Sequence, residues 1–227
     1  MQILGFQKLT LLDYPGHVAA TIFTGGCNFK CPFCQNARLV NYEDDELDNE
    51  KIIDYLNNRK KYLDAICITG GEPTIQKDLK GYIKKIKDIG YLIKLDTNGT
   101  NPKLLKELID EKLIDYVAMD IKNSKKKYSE TSGTKVNIDN IEESIRLLMN
   151  GNIDYEFRTT IVKDYHENED IIEISKWLKD SKKYVLQQFE DSGHLIKDGL
   201  KAHPKEKLCD FKQILEKEIK NVEIRGI

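Results

Sequence analysis

Apolar and polar residues alternate in the segment YLIKLDTN, residues 91–98 of the 227-residue chain. Successive side chains of a β-strand point to opposite faces, so Ile93 and Leu95 share one face while Lys94 and Asp96 share the other. A strand of a doubly wound sheet is covered by helices on both sides and is usually apolar on both faces. The segment therefore favours a barrel with a polar interior over an open doubly wound sheet.

Two other predicted strands have the same one-sided polarity. Asp120 and Lys122 share one face of the strand predicted over residues 115–122. Glu156 and Arg158 share one face of the strand that follows it along the chain. An unpaired charge inside a protein costs several kcal/mol, so these side chains must pair with one another, contact water or bind a ligand. A structural ion network and a ligand pocket both remain open at this point.

Short β-rich segments alternate with helical segments along most of the chain. The predicted strands are 18–24, 65–69, 91–97, 115–122, 155–162, 184–189 and 222–225, and the predicted helices are 49–61, 78–89, 101 onward, 138–149, 170–178 and 206–219. This order predicts parallel strands with right-handed crossovers. We therefore predict an α/β fold, a partial (β/α)6 barrel of the TIM type with helices outside. One domain spans 1–227, with a core over 17–190 and a C-terminal helix and strand within 206–225.

The composition argues against several classes of function. There are 36 Lys and Arg against 38 Asp and Glu, so no net basic field attracts nucleic acid. No run of about eighteen apolar residues is present, and residues 1–14 lack the basic-then-apolar order of a signal peptide. Five cysteines, an odd number, argue against a disulfide framework. We expect a cytoplasmic protein that binds neither nucleic acid nor membrane, with an exposed loop at the lysine-rich residues 124–135.

Three of the cysteines lie close together in the segment CNFKCPFC, directly after the first predicted strand. Cys27, Cys31 and Cys34 have the spacing C-x3-C-x2-C. Thiolates are the ligands of iron–sulfur clusters, and three of them leave one iron of a [4Fe–4S] cluster without a protein ligand. An open coordination position is typical of a reactive metal centre. A zinc site completed by Cys67, Cys209 or a histidine is an alternative, and so is simple burial of the thiols.

A glycine pair follows the second predicted strand, in the segment Thr69-Gly70-Gly71-Glu72-Pro73. Two glycines allow a ligand to approach the main chain closely, and the carboxylate of Glu72 can accept hydrogen bonds from an ammonium group. A Gly-Gly pair alone usually marks a turn. Its position behind the strand that follows the cysteine segment makes a ligand-binding role the stronger interpretation.

The cysteine segment, with Phe33 as the aromatic residue of C-x3-C-x-aromatic-C, resembles the cluster loop of the radical S-adenosylmethionine (SAM) superfamily. The Gly-Gly-Glu-Pro segment resembles the motif that holds the methionyl amino group in that superfamily. Three further segments are similar to the subgroup that activates glycyl radical enzymes: Asp13-Tyr14-Pro15-Gly16, Asp96-Thr97-Asn98-Gly99 and Asp120-Ile121-Lys122. The resemblance covers nearly the whole chain, and it is closest to the activating proteins of anaerobic ribonucleoside-triphosphate reductase.

The resemblance implies two cofactors, one [4Fe–4S] cluster and SAM, with a monovalent cation as a further candidate ligand. The cluster ligands would be Cys27, Cys31 and Cys34. The residues that bind the cofactor would be Phe33, Gly70, Gly71, Glu72, Asp96, Asn98, Asp120, Lys122, Arg158 and Gln188. Because Cys67 and Cys209 are isolated in the sequence, we expect no second cluster.

The histidines match the family pattern less well. In the pyruvate formate-lyase activator a histidine follows the sixth strand, whereas here Asp191 aligns with that position and His194 lies nearby. We expect His17, His166 and His203 to be surface or structural residues.

The resemblance also implies a reaction. A reduced cluster would pass one electron to the sulfonium of SAM, the S–C5′ bond would break, and the 5′-deoxyadenosyl radical would take a hydrogen atom from a glycine of a partner enzyme. The implied partner is a glycyl radical enzyme, in particular anaerobic ribonucleotide reductase, and the implied electron donor is flavodoxin or ferredoxin. Two alternatives remain open: a radical SAM enzyme acting on a small molecule, as a deazaguanine synthase does, or on a peptide; and a non-catalytic iron–sulfur or zinc protein.

Overall fold

A computed structural model describes residues 1–191, 193 and 195–227. In these residues the strands are β1 (Ile3–Thr10), β2 (Ala19–Thr24), β3 (Ala65–Gly70), β4 (Leu92–Thr97), β5 (Tyr116–Asp120), β6 (Asp154–Ile161), β7 (Tyr184–Gln188) and β8 (Val222–Arg225). The helices are α1 (Ala37–Val40), α2 (Asn49–Arg59), α3 (Leu79–Ile89), α4 (Pro102–Asp110), α5 (Tyr128–Thr131), α6 (Ile138–Asn150), α7 (Asn168–Trp177) and α8 (Lys205–Leu215), with a 3-10 helix at Pro73–Ile75.

The strands form one sheet in chain order, with β1 and β8 as its end strands. Parallel pairing joins β2 to β3, β3 to β4, β6 to β7 and β7 to β8. The predicted α/β class and the strand–helix alternation are therefore confirmed, and the possible last strand, 222–225, is present. No helix of the described residues is both long and apolar enough to cross a lipid bilayer.

The chain differs from the prediction at strand β1 and at the loop 124–135, and neither α1 nor the 3-10 helix was predicted. Strand β1 was not predicted; it pairs antiparallel with β2, and its register shifts twice, between Ile3 and Gly5 and between Gln7 and Thr10. These shifts break the alternation of buried and exposed residues that marks a strand in a sequence. The loop predicted at 124–135 contains the short helix α5, in which Tyr128 is completely buried.

The chain divides into two compact units, each assembled from separate stretches. Unit 1 comprises Met1–Asn28, Arg38–Ala118 and Asn140–Asp154, and unit 2 comprises Phe29–Ala37, Met119–Asp139 and Tyr155–Ile227. The division falls inside the cysteine segment, because Cys27 belongs to unit 1 whereas Cys31 and Cys34 belong to unit 2. The expectation of a single domain stays a prediction.

In unit 1, strands β3 and β4 place apolar and polar side chains as the alternation predicts. Ile66 and Ile68 of β3 are completely buried, and so are Ile93 and Leu95 of β4. The register pairs Cys67 with Lys94, so the polar face of β4 continues onto β3. Because the strands are parallel, their carboxyl ends bring the glycine pair after β3 next to the residues that follow β4.

In unit 2, a buried carboxylate has its partners on two other segments. Glu156 of β6 is 0% exposed, and the guanidinium of Arg225 on β8 donates to both of its oxygens at 2.7 and 2.8 Å. The ammonium of Lys183 lies 3.5 Å from the same carboxylate. A bidentate guanidinium is the geometry that compensates a buried carboxylate best. For Glu156, the structural ion network proposed from the sequence is therefore present.

Replacing Arg225 with alanine removes the bidentate partner of the buried Glu156. We expect the free energy of unfolding to fall by about 3 kcal/mol, the lower end of the range for breaking a buried pair, because Lys183 remains. The control is Lys212→Ala, which removes an exposed pair with Glu216 and should cost less than about 1 kcal/mol. Urea unfolding followed by circular dichroism measures both losses, and equal losses would contradict the assignment.

Candidate functional site

The glycine pair at the end of β3 lies against the main chain just before the cysteine segment. The amide of Gly71 donates to the carbonyl of Thr24 at 2.8 Å, and the amide of Glu72 donates to the carbonyl of Gly26 at 2.8 Å. A Cβ atom on Gly71 would overlap that carbonyl oxygen of Gly26, and Gly70 has a φ of +106°. Both positions therefore require glycine, one for close approach and the other for its backbone conformation.

Glu72 lies at the centre of a hydrogen-bond network in unit 1. Glu72 is only 1% exposed. Its Oε1 accepts from the amide of Thr74 at 3.0 Å and from the hydroxyl of Thr97 at 2.7 Å. The hydroxyl of Thr74 also donates to Oε1, and Oε2 accepts from the amide of Asn98 at 2.7 Å. Burial raises the pKa of Glu72, although these hydrogen bonds oppose the shift. The carboxylate thus ties the segment after β3 to the end of β4.

Asn98 extends this network to the cysteine segment. Its side-chain amide donates to Oδ1 of Asn28 at 2.8 Å, and its own Oδ1 accepts from the amide of Thr100 at 3.1 Å. Asn28 in turn donates to the hydroxyl of Thr100 at 2.9 Å. Because Asn28 follows Cys27 directly, Asn98 fixes the main chain beside the first predicted cluster ligand. The contact of Asn98 with SAM that the resemblance implies stays a prediction.

Asp96 is part of a buried charged group on the polar face of β3 and β4. Lys94 forms an ion pair with Oδ1 of Asp96, and the hydroxyl of Thr69 donates to Oδ2 at 3.1 Å. The thiol of Cys67 lies 3.8 Å from Asp96 and 3.7 Å from the ammonium of Lys94. Lys94, whose residue is 2% exposed, was not predicted as a site residue. The monovalent cation that the resemblance implies as a further candidate ligand stays a prediction.

In unit 2, the structure brings together three of the predicted residues. Asp120 accepts at Oδ1 from Nε of Arg158 at 2.5 Å and at Oδ2 from Nζ of Lys122 at 2.9 Å. Burial alone would raise the pKa of Asp120, but the two cations outweigh it and hold that pKa well below its usual range. Burial alone would lower the pKa of Lys122, but Asp120 outweighs it and holds that pKa above its usual range. Two cations share one carboxylate, so the trio carries one net positive charge.

Cys31 and Cys34 lie in the electrostatic field of Lys122. Burial raises the pKa of Cys31 to about 11, and the ammonium of Lys122 is the largest influence in the opposite direction. Burial also raises the pKa of Cys34, opposed by a hydrogen bond from the amide of Asn36 and by Lys122. A metal ligand must be deprotonated, so a nearby cation favours the form of these thiols that binds iron.

The main chain of the cysteine segment is anchored by two loops of unit 2. The amide of Lys30 donates to the carbonyl of Ser132 at 2.9 Å, and the amide of Lys197 donates to the carbonyl of Pro32 at 2.9 Å. The first anchor belongs to the segment 124–135, which was expected to be merely an exposed loop. The exposed lysines of this segment gave no sign, in the sequence, of its buried residues, which contact the cysteine segment.

Phe33 packs against residues that the sequence did not assign to the site. Its ring centroid lies 6.0 Å from that of Tyr165 and 6.5 Å from that of His166. His166 is completely buried, with Nε2 2.9 Å from the carbonyl of Lys122 and Nδ1 3.1 Å from the amide of Val162. Burial lowers the pKa of His166, which favours the neutral ring. Nδ1 also lies 3.2 Å from the carbonyl of Val162, so each ring nitrogen faces a main-chain carbonyl. In the neutral ring the shorter contact with Lys122 favours the proton on Nε2, with Nδ1 accepting from the amide of Val162.

The predicted residues at the end of β7 and after it are not joined to Asp120, Lys122 and Arg158 by the contacts observed. Gln188 donates to the carbonyl of His203 at 2.9 Å, and within the described residues its buried Oε1 has no hydrogen-bond partner. Asp191 is exposed and accepts from the amide of Gly193 at 2.8 Å. His194 lies outside the described residues. The unsatisfied acceptor of Gln188 is a place where a ligand could donate a hydrogen bond.

The chemistry of the donors fits an iron–sulfur cluster. All five cysteines are free thiols, and the three in the cysteine segment are soft sulfur ligands. In the part of the chain that the structure describes, no three His, Cys, Asp or Glu side chains are grouped closely enough to hold one metal ion. Cluster ligands each bind a different iron, so a cubane does not require the close grouping that a single zinc ion needs.

Comparison with known proteins decides the family. The model of the radical SAM superfamily matches residues 21–178. The chain belongs to the radical SAM superfamily. Membership implies an iron–sulfur cluster and SAM as cofactors. A Methanocaldococcus jannaschii protein described as a "putative glycyl-radical enzyme activating enzyme" is 39% identical to this radical SAM chain, over 99% of this chain and 96% of its own length.

Solved structures share the fold at low sequence identity. Streptococcus suis SuiB, solved bound to SAM, superposes with a TM-score of 0.70 and 19% identity, over 89% of this chain and 49% of its own. A domain of a pyruvate-formate lyase-activating enzyme from Bacteroides vulgatus gives a TM-score of 0.56 and 18% identity, over 72% of this chain and 99% of its own. The radical SAM chain spans about half the length of SuiB. The likeness confirms the predicted fold, of the partial-barrel type.

Replacing Gly71 with alanine forces a Cβ atom into the carbonyl of Gly26, so the main chain before the first cysteine must move. We expect the affinity for SAM to fall more than about tenfold, equivalent to about 1.4 kcal/mol, and iron content after reconstitution to fall with it. The matched control is Gly81→Ala in α3, where a Cβ atom meets nothing within 4 Å. That variant should bind normally and gain about 0.5–1 kcal/mol of stability. Isothermal titration and iron analysis compare the two.

Replacing Glu72 with glutamine tests its hydrogen-bond network. A backbone amide donates to each carboxylate oxygen, so the new NH2 group must face the amide of either Thr74 or Asn98. We expect a loss of about 1–3 kcal/mol in the free energy of unfolding, because a buried donor is left unpaired. The exposed Glu46→Gln should stay within about 0.5 kcal/mol of the parent chain. A stable Glu72→Gln variant in urea unfolding would refute the network.

Proposed function

We propose that this chain cleaves SAM reductively at a [4Fe–4S] cluster held by Cys27, Cys31 and Cys34, and that it generates a glycyl radical on a partner enzyme. The observation that carries the proposal is the pairing of Asp120 with both Lys122 and Arg158. This group is linked to the cysteine segment through His166, whose ring meets that of Phe33 and bonds to the carbonyl of Lys122. A site that combines thiolate donors with a fixed positive charge suits a cluster and an organic carboxylate together.

The residues of the chain bind and orient the cofactors in this proposal. The cations Lys122 and Arg158 bind the carboxylate of SAM. The glycine pair, Gly70 and Gly71, is assigned to the ammonium group of SAM on the resemblance of its motif. When bound, the reduced cluster supplies the electron that breaks the S–C5′ bond. The protein needs no acid or base for that step; it orients the ligand and excludes water.

Glu72 and Asn98, which the resemblance assigns to SAM binding, also hold the main chain of the site in place. Their hydrogen bonds join the segment after β3, the end of β4 and the residue after Cys27. They act as positioning residues for the glycine pair and the cysteine segment. Asp96 and Gln188 remain candidates for polar contacts with SAM, and Gln188 offers a buried oxygen without a partner among the described residues.

The near full-length relative of 39% identity supports a glycyl radical enzyme as the partner. Anaerobic ribonucleotide reductase is the specific partner that we propose, on the resemblance of the motifs. Flavodoxin or ferredoxin is the proposed electron donor, because Cys67 is buried beside Asp96 and Lys94 and therefore does not serve a second cluster. The cytoplasm is the proposed compartment, since five free thiols suit a reducing environment.

After anaerobic reconstitution with iron and sulfide, the addition of dithionite and SAM should produce 5′-deoxyadenosine, one molecule for each SAM cleaved. Chromatography measures the yield. Cys34→Ala should lower the yield at least about a hundredfold, since one iron loses its ligand and the cluster is not retained. The matched control is Cys209→Ala, which removes an exposed thiol on α8 and should leave the yield unchanged.

Addition of candidate anaerobic ribonucleotide reductase should then give the electron paramagnetic resonance signal of a glycyl radical. The two readouts separate the alternatives. Absence of 5′-deoxyadenosine from iron-loaded protein would mean a non-catalytic iron–sulfur protein. Cleavage of SAM without a radical on any glycyl radical enzyme would point to a small molecule or peptide substrate.

A further inference from the structure

Gly133 lies directly against the main chain of the cysteine segment. A Cβ atom at this position would overlap the carbonyl oxygen of Lys30, and the φ of Gly133 is +67°. Beside this contact, the amide of Lys30 donates to the carbonyl of Ser132 at 2.9 Å. All three residues belong to unit 2. Position 133 therefore requires glycine twice, for its backbone conformation and for the close approach of the stretch that leads into Cys31.

A ring contact holds the same end of the cysteine segment. The ring of Phe29 meets that of Tyr128 edge to face, with centroids 6.5 Å apart and planes at 75°. Both rings are buried. Tyr128 is the first residue of α5, and Ser132 follows the last. The stretch around α5, residues 123–133 and here named the α5 segment, therefore contacts the cysteine segment through a ring as well as through its main chain.

The α5 segment is also fastened to the end of β5. The hydroxyl of Tyr128 donates to the main-chain carbonyl of Asp120 at 3.3 Å. The side-chain amide of Asn123, which follows Lys122 directly, donates to the hydroxyl of Thr131 at 2.9 Å. Asn123 is completely buried, so this bond closes the segment onto itself away from solvent. One short stretch thus connects the Asp-Ile-Lys motif to the cysteine segment.

A side chain at position 133 would disturb this connection at one point. Gly133 is exposed, so a methyl group there displaces no residue of a hydrophobic core. The atom that it would overlap belongs to main chain rather than to the end of a flexible side chain, so the stretch before Cys31 must move away from Ser132. A misplacement of about 1 Å in a group that orients reactants can cost about a hundredfold in rate.

We propose that Gly133 is a positioning residue for the cluster, because it lets the α5 segment hold the main chain before Cys31 at a fixed place relative to Asp120. This inference rests on the cluster of the proposed function. It assigns a role to an exposed glycine in a segment whose lysine-rich sequence indicated only a surface loop. The contacts that carry it join protein groups alone, so they can be measured in the protein before reconstitution.

The first measurement is hydrogen exchange of the protein before reconstitution, followed by NMR. The amide of Lys30 bonds to the carbonyl of Ser132, so its exchange rate reports the contact directly. In Gly133→Ala we expect this amide to exchange at least about tenfold faster than in the parent chain. The matched control is Gly16→Ala, at a φ of +78° where a Cβ atom meets nothing within 4 Å. It imposes a similar backbone strain without the overlap, so the Lys30 amide should keep its parental rate.

The second measurement is made after anaerobic reconstitution. Iron retained per chain should fall at least about fivefold in Gly133→Ala, because the ligands no longer meet in a preformed site. The rate of 5′-deoxyadenosine formation, normalised to iron, should fall about a hundredfold. Gly16→Ala should match the parent chain in both quantities.

Asparagine separates close approach from backbone conformation, because it tolerates a positive φ but carries a Cβ atom. Gly133→Asn should therefore show the same fast exchange and low iron content as Gly133→Ala.

Parental exchange of the Lys30 amide in Gly133→Ala overturns the inference, and so does a Gly133→Asn variant that behaves as the parent chain. If neither variant folds, Phe29→Leu decides: it removes the ring contact with Tyr128 and should raise the exchange rate of the same amide and lower the iron content. A parent chain that assembles no cluster would overturn the proposed function and this inference together. A parent chain and a Gly133→Ala variant that cleave SAM equally well would overturn the inference alone.

Discussion

A charge buried among apolar strands needs a partner of opposite sign, and this requirement organises the interior of the protein. Asp96 pairs with Lys94 two residues away on the same strand. Glu156 depends on Arg225, which comes from a strand far along the chain. Burying an ion pair costs free energy, so ion pairs buried at several places indicate a role in the specificity of the fold as well as in its stability. Because Glu156 and Arg225 lie on different strands, their pairing favours the register in which they meet.

Asp120, like Glu156, has two cations within bonding distance. Those of Glu156 also pair with Glu223, whereas those of Asp120 include Lys122, whose charge favours the thiolate forms of two cysteines. Pairing elsewhere in the chain neutralises charge, whereas here it directs charge towards a functional group. The same rule of electrostatics thus produces a structural network at Glu156 and a candidate cofactor site at Asp120.

The sequence could predict which residues share a face, because strand alternation is a local property. It therefore placed Lys94 with Asp96 and Asp120 with Lys122, and it put Arg158 on the polar face of the following strand. The 2.5 Å contact of Arg158 with Asp120 comes from the structure, and the role of Arg158 in a pocket stays a prediction. It could not predict the partners of His166, because that ring bonds to a carbonyl 44 residues away and no pattern in the sequence reports such a contact. Strand β1 was missed for a related reason, since its two register shifts remove the local alternation.

Gly71 and Gly26 bring two stretches of main chain so close together that a side chain at position 71 would overlap the other stretch. When two side chains compete for space, a smaller residue at one position makes room for a larger residue at the other. Both positions can therefore change during evolution. Neither partner here has a side chain to give up. No second-site suppressor can therefore rescue a substitution at position 71, and a lineage that keeps this arrangement has that position closed to evolutionary change.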